Sequence, residues 1–259
     1  MLVATWNVNS IRKRLPLVLD WLRETAPDIL LLQETKTPDE SFPRLELQGL
    51  GYRILSCGEK CYNGVAILSR LPMEATVWRL PGDDDDHQAR YLEAHISGDI
   101  RVASLYLPNG NPSESKKFSS KLAWMTRLYD HALALLRTGD AVILGGDYNV
   151  CPSDDDVYAP DQWADNALCR LEVREAFQAI LWLGYCDAFR VFNHMPDAYT
   201  FWSYQAGAWP CNRGLRIDHL LLSPQAADRL EASGIEKKQR GCVKASDHVP
   251  VWCRLRARG

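Results

Sequence analysis

Apolar runs of about four residues recur along the chain, and their lengths and spacing sort them into strands and helices. The most informative is Ala141-Val142-Ile143-Leu144, which continues as Gly145-Gly146-Asp147-Tyr148-Asn149-Val150. An uninterrupted apolar run with two β-branched residues predicts a strand buried on both faces, and Gly-Gly predicts a sharp turn at its carboxyl end. Alternation beyond that end puts Asp147 and Asn149 on one side and Tyr148 on the other. A carboxylate and a carboxamide then converge on the rim of a buried sheet, where open α/β sheets place their sites. By itself, Gly-Asp-x-Asn equally describes a plain strand-to-turn transition. Residues 28–33 repeat the design, with Ile29-Leu30-Leu31-Leu32 delivering Gln33-Glu34.

The remaining elements follow from the same patterns. Residues 2–8 alternate as a strand ending in Asn7 and Asn9. Ser10 is placed as an N-cap, and Ile11, Leu15, Val18, Leu19 and Leu22 mark a helix that Pro27 stops. Strands are expected over 52–57, 64–69 and 75–80, with a hairpin of 90–96 and 100–107 across Ser97-Gly98-Asp99. Ser113 or Ser115 caps a long helix whose stripe Phe118, Leu122, Met125, Tyr129, Ala132 and Leu136 faces the core, with Lys116, Lys117 and Lys121 on or near the exposed side. A polar, Asp-rich loop runs to about Asn166. A helix over 171–183 and an aromatic segment at 199–204 come next. Then follow a strand over 215–223 carrying Asp218, a short helix near 225–232, a polar strand near 235–240 and a last strand over 249–255.

Composition narrows the class. Apolar residues make up 46% of 259, enough for a real core, and no repeat or linker divides the chain, so one domain spanning 1–259 is expected. No run reaches the eighteen or so apolar residues of a membrane span, and residues 1–6 begin directly as a strand, so a cytoplasmic protein with no membrane partner is expected. The eight cysteines show no metal-site spacing and are expected to be free thiols. The net charge of −3 argues against bulk coating of nucleic acid, yet residues 212–259 hold ten Lys/Arg against five Asp/Glu. A basic patch on a mildly acidic protein suits transient contact with a polyanion, or is an ordinary solvated surface.

Polar groups therefore cap several strand ends: Asn7, Glu34, Tyr106, Asp147 with Asn149, and Asp247 with His248, while Asp218 lies within a strand. Hard oxygen donors gathered this way suit Mg²⁺, and a His with an Asp to orient it suits a charged imidazole facing a phosphate in its transition state. Together they describe metal-assisted hydrolysis of a phosphodiester. Thr5-Trp6-Asn7-Val8-Asn9-Ser10-Ile11-Arg12, Leu32-Gln33-Glu34-Thr35-Lys36, Tyr106-Leu107-Pro108-Asn109-Gly110, Gly146-Asp147-Tyr148-Asn149, Asn212-Arg213-Gly214-Leu215-Arg216-Ile217-Asp218 and Ser246-Asp247-His248-Val249-Pro250 resemble, in order, the motifs of the exonuclease III family of abasic-site endonucleases, within the endonuclease/exonuclease/phosphatase superfamily. The resemblance implies an α/β (α+β) four-layered sandwich, two mixed β-sheets packed face to face and flanked by helices.

It also implies roles. Glu34 would be the main Mg²⁺ ligand (Mn²⁺ a substitute), with Asn7 and Asp247 close to the ion and Asp147 and Asn149 completing the metal and water site. Asp147 would deprotonate the attacking water, His248 paired to Asp218 would bind a phosphate oxygen, and Tyr106 would donate its phenol; whether Asp147 or a Tyr106 phenolate is the base, and how many metals act, stays open. Phe201, Leu215 and Ile217 match an apolar pocket for a flipped-out, base-less sugar. Arg90, Asn109, Lys121, Arg213 and Arg216 are candidate phosphate contacts, and Trp209 a candidate wedge.

The implied activity is a monomeric DNA repair nuclease that cuts 5′ to abasic sites in double-stranded DNA and clears blocked 3′ ends as a 3′-phosphodiesterase and 3′-5′ exonuclease. Three departures stand out: segment 158–171 is short and carries Asp161 and Asp165 where basic residues are expected, Leu215 replaces a Trp of some relatives, and His219 occupies a usually apolar position. The alternatives are a nonspecific deoxyribonuclease, a small-molecule or lipid phosphatase, and a catalytically silent scaffold.

Overall fold

Strands with unbroken apolar runs occupy the middle of the molecule. The computed structural model describes residues 1–257 and contains Leu2–Asn7 (β1), Ile29–Gln33 (β2), Arg53–Cys57 (β3), Val65–Ser69 (β4), Met73–Val77 (β5), Tyr91–Ile96 (β6), Ile100–Tyr106 (β7), Ala141–Asp147 (β8), Cys186–Asp187 (β9), Asp218–Leu222 (β10), Leu230–Ile235 (β11) and Val251–Leu255 (β12). They form two six-stranded mixed sheets in the orders β11-β12-β1-β2-β4-β3 and β5-β6-β7-β8-β10-β9. Helices Ile11–Thr25 (α1), Arg44–Gln48 (α2), Lys116–Thr138 (α3), Pro160–Trp163 (α4), Leu171–Trp182 (α5), Ala188–Phe192 (α6) and Pro224–Ala227 (α7) complete the chain. The result is the expected four-layered sandwich.

Layering explains the apolar runs. Val3, Ile29, Leu31, Val65 and Ile67 meet Leu92, Val102, Ile143 and Leu220 between the sheets. Their neighbours Ala4, Trp6, Leu30 and Leu32 point outward against Val18, Trp21 and Leu22 of α1. On the other sheet, Leu105, Val142 and Leu144 point outward against Met125 and Leu128 of α3 and Phe177 of α5. A strand covered on both faces has no polar side, so its sequence loses the two-residue alternation.

Several expectations are corrected. Gly145 and Gly146 lie inside β8 rather than in a turn. A Cβ at Gly145 would sit 2.6 Å from Leu31 Cδ1 of the facing sheet and 2.7 Å from Leu220 Cδ2 of the paired strand, so glycine is needed for these two side chains to pack over β8. Ser10 does not cap α1 through its side chain; its backbone sits at φ 90° and its N–H donates to the Glu34 carbonyl. Ser115 does cap α3, accepting from the Lys117 N–H. The buried row of α3 is Phe118, Lys121, Met125, Leu128, Ala132 and Leu135, so Leu122, Tyr129 and Leu136 are its partly buried flank and Lys121 faces inward. The strand over 75–80 falls at 73–77, the strand with Asp218 begins at that residue, and 230–235 is the strand while 237–241 is a 3₁₀ turn.

Topology gathers the polar strand ends on one rim. β1 runs parallel to β2, β7 runs parallel to β8, and β10 runs antiparallel to β8. The carboxyl ends of four strands therefore meet the amino end of β10, and the register sets Tyr106 beside Asp147 and Asp147 beside Asp218.

Candidate active site

The rim is wired by short side-chain bonds. Asn7 Nδ2 donates to Glu34 Oε1 at 2.8 Å and to Asp147 Oδ2 at 2.9 Å, bridging carboxylates from different sheets. His248 Nδ1 lies 2.8 Å from Asp218 Oδ2 and its Nε2 lies 3.8 Å from Asp147 Oδ2, so the imidazole spans two carboxylates. Thr200 Oγ1 fixes Asp218 by donating to Oδ2 at 2.7 Å, while Asp218 Oδ1 is buried with no hydrogen-bond partner. Lys36 Nζ sits 2.5 Å from Glu34 Oε2 and donates to Asn9 Oδ1 at 2.6 Å; Asn9 Nδ2 in turn donates to Asp247 Oδ1. Asn9, Ser10, Glu34, Lys36 and Asn149 all have left-handed backbones, φ between 43° and 90°. Such conformations are costly for residues with a Cβ and persist where the surroundings over-determine them.

The charges push one another's acidities apart. Burial works against a charged His248, but Asp218 and Asp147 outweigh it and raise its pKa to about 10. Asp147 is raised to about 7, first by burial and then by repulsion from Asp218 and Glu34, against the pull of His248. Burial also opposes ionised Glu34, yet Lys36 and Asn7 hold its pKa below the ordinary value. Tyr106 is pushed well above the usual phenol range by burial and by Glu34 and Asp147, so it is a proton donor at neutral pH. Separated acidities within one cluster are the mark of assigned acid and base roles.

One ligand atom each of Glu34, Asp147 and His248 lies within 4.8 Å of the others. A protonated imidazole offers no lone pair, so the donors suited to a hard divalent cation are the Glu34 and Asp147 carboxylates. Asn7 turns its NH₂ toward both of them, its oxygen accepting from the Asn9 N–H, and so acts here as their bridge. Asp247 is engaged by Asn9 and lies outside the group. Asn149 is nearby, but its Nδ2 donates to the Leu107 carbonyl and its Oδ1 accepts from Asn109. Its φ of 49° ends the alternation expected beyond Asp147, whose Oδ1 accepts from the Asn149 N–H. Tyr148 packs in the core as expected, donating to the Leu144 carbonyl.

The expected binding residues divide. Arg90 stacks 4.7 Å over the Tyr106 ring, half-buried at the rim; Asn109 and Arg213 are exposed. Phe201 packs on His248 with ring centroids 4.9 Å apart and keeps a partly exposed face, whereas Leu215 and Ile217 are buried behind it. Trp209 is packed against Trp202 and beside Lys237 and Arg240, which removes it as a free wedge. The basic excess of the last fifty residues joins α1: Arg240 and Lys244 line a groove of about 750 Å³ with Arg12, Lys13, Arg14 and Tyr204. Arg258 lies outside the described residues.

Lys121 and Arg216 are corrections, since neither reaches the surface. Arg216 is 2% exposed and bonds Asp156 Oδ1 through Nε and Asp187 Oδ2 through Nη1, both at 2.6 Å, with His219 buried beside it. It knits the loop before β10 to β9 and to segment 154–156. Arg216→Met is expected to cost about 3–5 kcal/mol, because two buried carboxylates lose their shared guanidinium and Asp156 keeps only Arg190 as a charged partner. The midpoint and slope of urea unfolding check it. Thr200, Lys36 and Asn9 belong to the site although the sequence assigns them no role in it. Lys36 could have been found from its place two residues after Glu34, whereas nothing local marks Thr200.

A sandwich with this rim is the frame of a phosphodiester hydrolase. The endonuclease/exonuclease/phosphatase family model matches residues 4–248. Exodeoxyribonuclease III of Haemophilus influenzae is 30% identical, over 99% of this chain and 100% of its own. Among solved structures, an AP endonuclease from Archaeoglobus fulgidus (35% identity, TM-score 0.94) is covered over 99% of this chain and 100% of its own. A 3′ phosphatase, NExo, from Neisseria, bound to a product DNA hairpin (36% identity, TM-score 0.96), is covered to the same extent. The chain belongs to the endonuclease/exonuclease/phosphatase family, as a phosphodiester hydrolase of the exonuclease III type of AP endonuclease.

Proposed function

We propose that the protein is a Mg²⁺-dependent nuclease that hydrolyses the phosphodiester 5′ to an abasic site in duplex DNA, leaving a 3′-hydroxyl, and that it also clears blocked 3′ ends. The observation that carries this reading is the placement of His248, held by Asp218 and facing Asp147 next to Glu34. His248 Nε2–H donates to a non-bridging phosphate oxygen and stabilises the charge that grows there. Asp147, with its acidity near neutrality, takes the proton of the attacking water. Tyr106 remains a phenol and donates toward the phosphate or the leaving oxygen. Glu34 and Asp147 would hold the cation, Mg²⁺ or in its place Mn²⁺, which supplies charge neutralisation of the phosphate. The exposed face of Phe201, backed by Leu215, offers an apolar surface suited to a flipped sugar without a base. Flanking phosphates lie against Arg90 and Arg213 and along the basic groove of Arg12, Arg14 and Lys244.

The comparably close likeness to a 3′ phosphatase supports trimming of 3′ ends as the second activity of the same site. Both are tested on duplexes carrying one abasic analogue or one 3′-phosphate. Incision immediately 5′ to the analogue with Mg²⁺, lost in EDTA and restored by Mn²⁺, is expected. Absence of incision, or incision indifferent to EDTA, would overturn the abasic reading; release of phosphate alone would leave the 3′ activity as the function. The protein is expected to act as a monomer, and no helix among the described residues is long and apolar enough to cross a membrane.

A further inference from the structure

We infer that Lys121 is a positioning residue: its ammonium ties together the three loops that form the Asn149 corner of the active site. Lys121 lies on the buried row of α3 between Phe118 and Met125, with 0% of its surface exposed. An uncompensated ammonium there would cost several kcal/mol. Burial lowers its pKa to about 7 against the pull of Asp147; the charged form is compensated by three backbone carbonyls, those of Asn149 at 2.6 Å, Ala167 at 2.9 Å and Asn109 at 3.2 Å from Nζ. An ammonium has three N–H donors, and each finds one acceptor. Among the described residues no carboxylate forms an ion pair with it, and Asp147 acts on it only from longer range. The cage is therefore geometric, and a buried Nζ cannot meet a phosphate.

The three carbonyls belong to separate segments. Asn109 follows β7, Asn149 follows β8, and Ala167 precedes α5. Asn149 holds its left-handed backbone between the Lys121 bond to its carbonyl and the side-chain bonds to Leu107 and Asn109. Ala167 closes the circuit, its N–H donating to Asn111 Oδ1. Gly110 accommodates the clamp: a Cβ there would lie 2.7 Å from Lys121 Cδ, and its φ is 86°. The glycine of Tyr106-Leu107-Pro108-Asn109-Gly110 thus makes room for the lysine stem. Arginine cannot substitute, because its planar fork of donors does not match three carbonyls converging on one atom.

The inference rests on the hydrolase reading only for its readout. Turnover of the abasic duplex by wild type tests that reading; the ratio of variant to wild type, on whichever DNA the wild type cleaves, tests this one. Lys121→Met is expected to lower single-turnover kcat by about 10- to 100-fold, the scale of a misplaced reacting group. DNA affinity should stay within about threefold and its salt dependence should not change, whereas loss of a phosphate contact would reduce the salt slope by about one. Leu128→Ala, on the same buried row, controls for destabilisation and is expected to keep kcat below its melting temperature. Lys121→Met activity within twofold of wild type, loss only in step with Leu128→Ala, or weakened affinity with a lower salt slope would overturn the inference. Should Lys121→Met fail to fold, Gly110→Ala presses on the same stem; reduced kcat with DNA affinity kept supports the clamp, and unchanged kcat overturns it.

Discussion

Asp147→Asn is expected to lower kcat by about 10²- to 10⁴-fold, the usual contribution of a positioned general base, while DNA affinity holds or tightens. The substitution removes one negative charge from a pocket that must receive a phosphate, so binding has no electrostatic reason to weaken. It keeps the acceptor that the Asn149 N–H uses and gives up one bond, from Asn7 Nδ2, which retains Glu34. Asparagine therefore isolates the chemistry better than alanine, which would abandon both bonds. Stability should move the opposite way from activity. The folded pKa of Asp147 lies near 7, above the ordinary 3.8, so keeping it ionised costs folding free energy as pH rises from about 4 toward 7. Removing that charge should leave the melting temperature in metal-free buffer at neutral pH equal or higher. Single-turnover rates, DNA binding and thermal unfolding measured together decide the matter. A fall in all three would make Asp147 a structural residue.

A carboxylate that burdens the fold and drives the reaction is consistent with how this rim is built. Glu34, Asp147 and His248 come from the end of β2, from β8 and from the segment before β12, and Glu34 and four residues around the group hold left-handed backbones. Strain and like-charge repulsion are concentrated here and offset by the close packing of the layers behind. Sites of this kind are therefore where local sequence rules are expected to fail.

Particular residues show which rules failed. The strand ends at Asn7, Glu34, Tyr106 and Asp147 were legible because an apolar run and a following polar group are neighbours in sequence. The pairing of Asp218 with His248 was not legible from spacing, and only the family resemblance supplied it. Lys121 was misplaced because helical periodicity sorts a lysine to the solvent side, whereas its acceptors come from residues 109, 149 and 167. Arg216, a phosphate contact only by resemblance, is turned inward by Asp156 and Asp187, which lie 60 and 29 residues away. Alternation misled at Asn149, because it assumes an extended chain and φ there is 49°. Gly145-Gly146 suggests a turn but serves close packing inside β8, where Leu31 of the facing sheet and Leu220 of the paired strand crowd Gly145 and the Leu105 backbone crowds Gly146.

Asp218→Asn should bring the protonation of His248 into the working range of pH. In the wild type, burial favours the neutral ring but Asp218 and then Asp147 hold it charged up to about pH 10. The charged form is present below that pKa and is lost as pH rises through it, so the wild type should show no His248 limb between pH 6 and 9. Asparagine can keep the geometry: its oxygen can accept from Thr200 as Oδ2 does now, and its NH₂ can take the place of the partnerless Oδ1. What goes is the charge. With burial still opposing protonation and the largest favourable charge removed, the His248 pKa should fall toward neutrality or below. The rate at pH 8 should then drop by about 10²- to 10⁴-fold, the range seen when the carboxylate behind a catalytic histidine is neutralised, and recover in part as pH is lowered toward 6. The pH profile of kcat, alongside NMR titration of the His248 ring, measures both. An unaltered profile and an unaltered ring titration would show that Asp218 does not hold the charge on His248. A lower rate at every pH with no moving limb would assign Asp218 to orienting the ring alone.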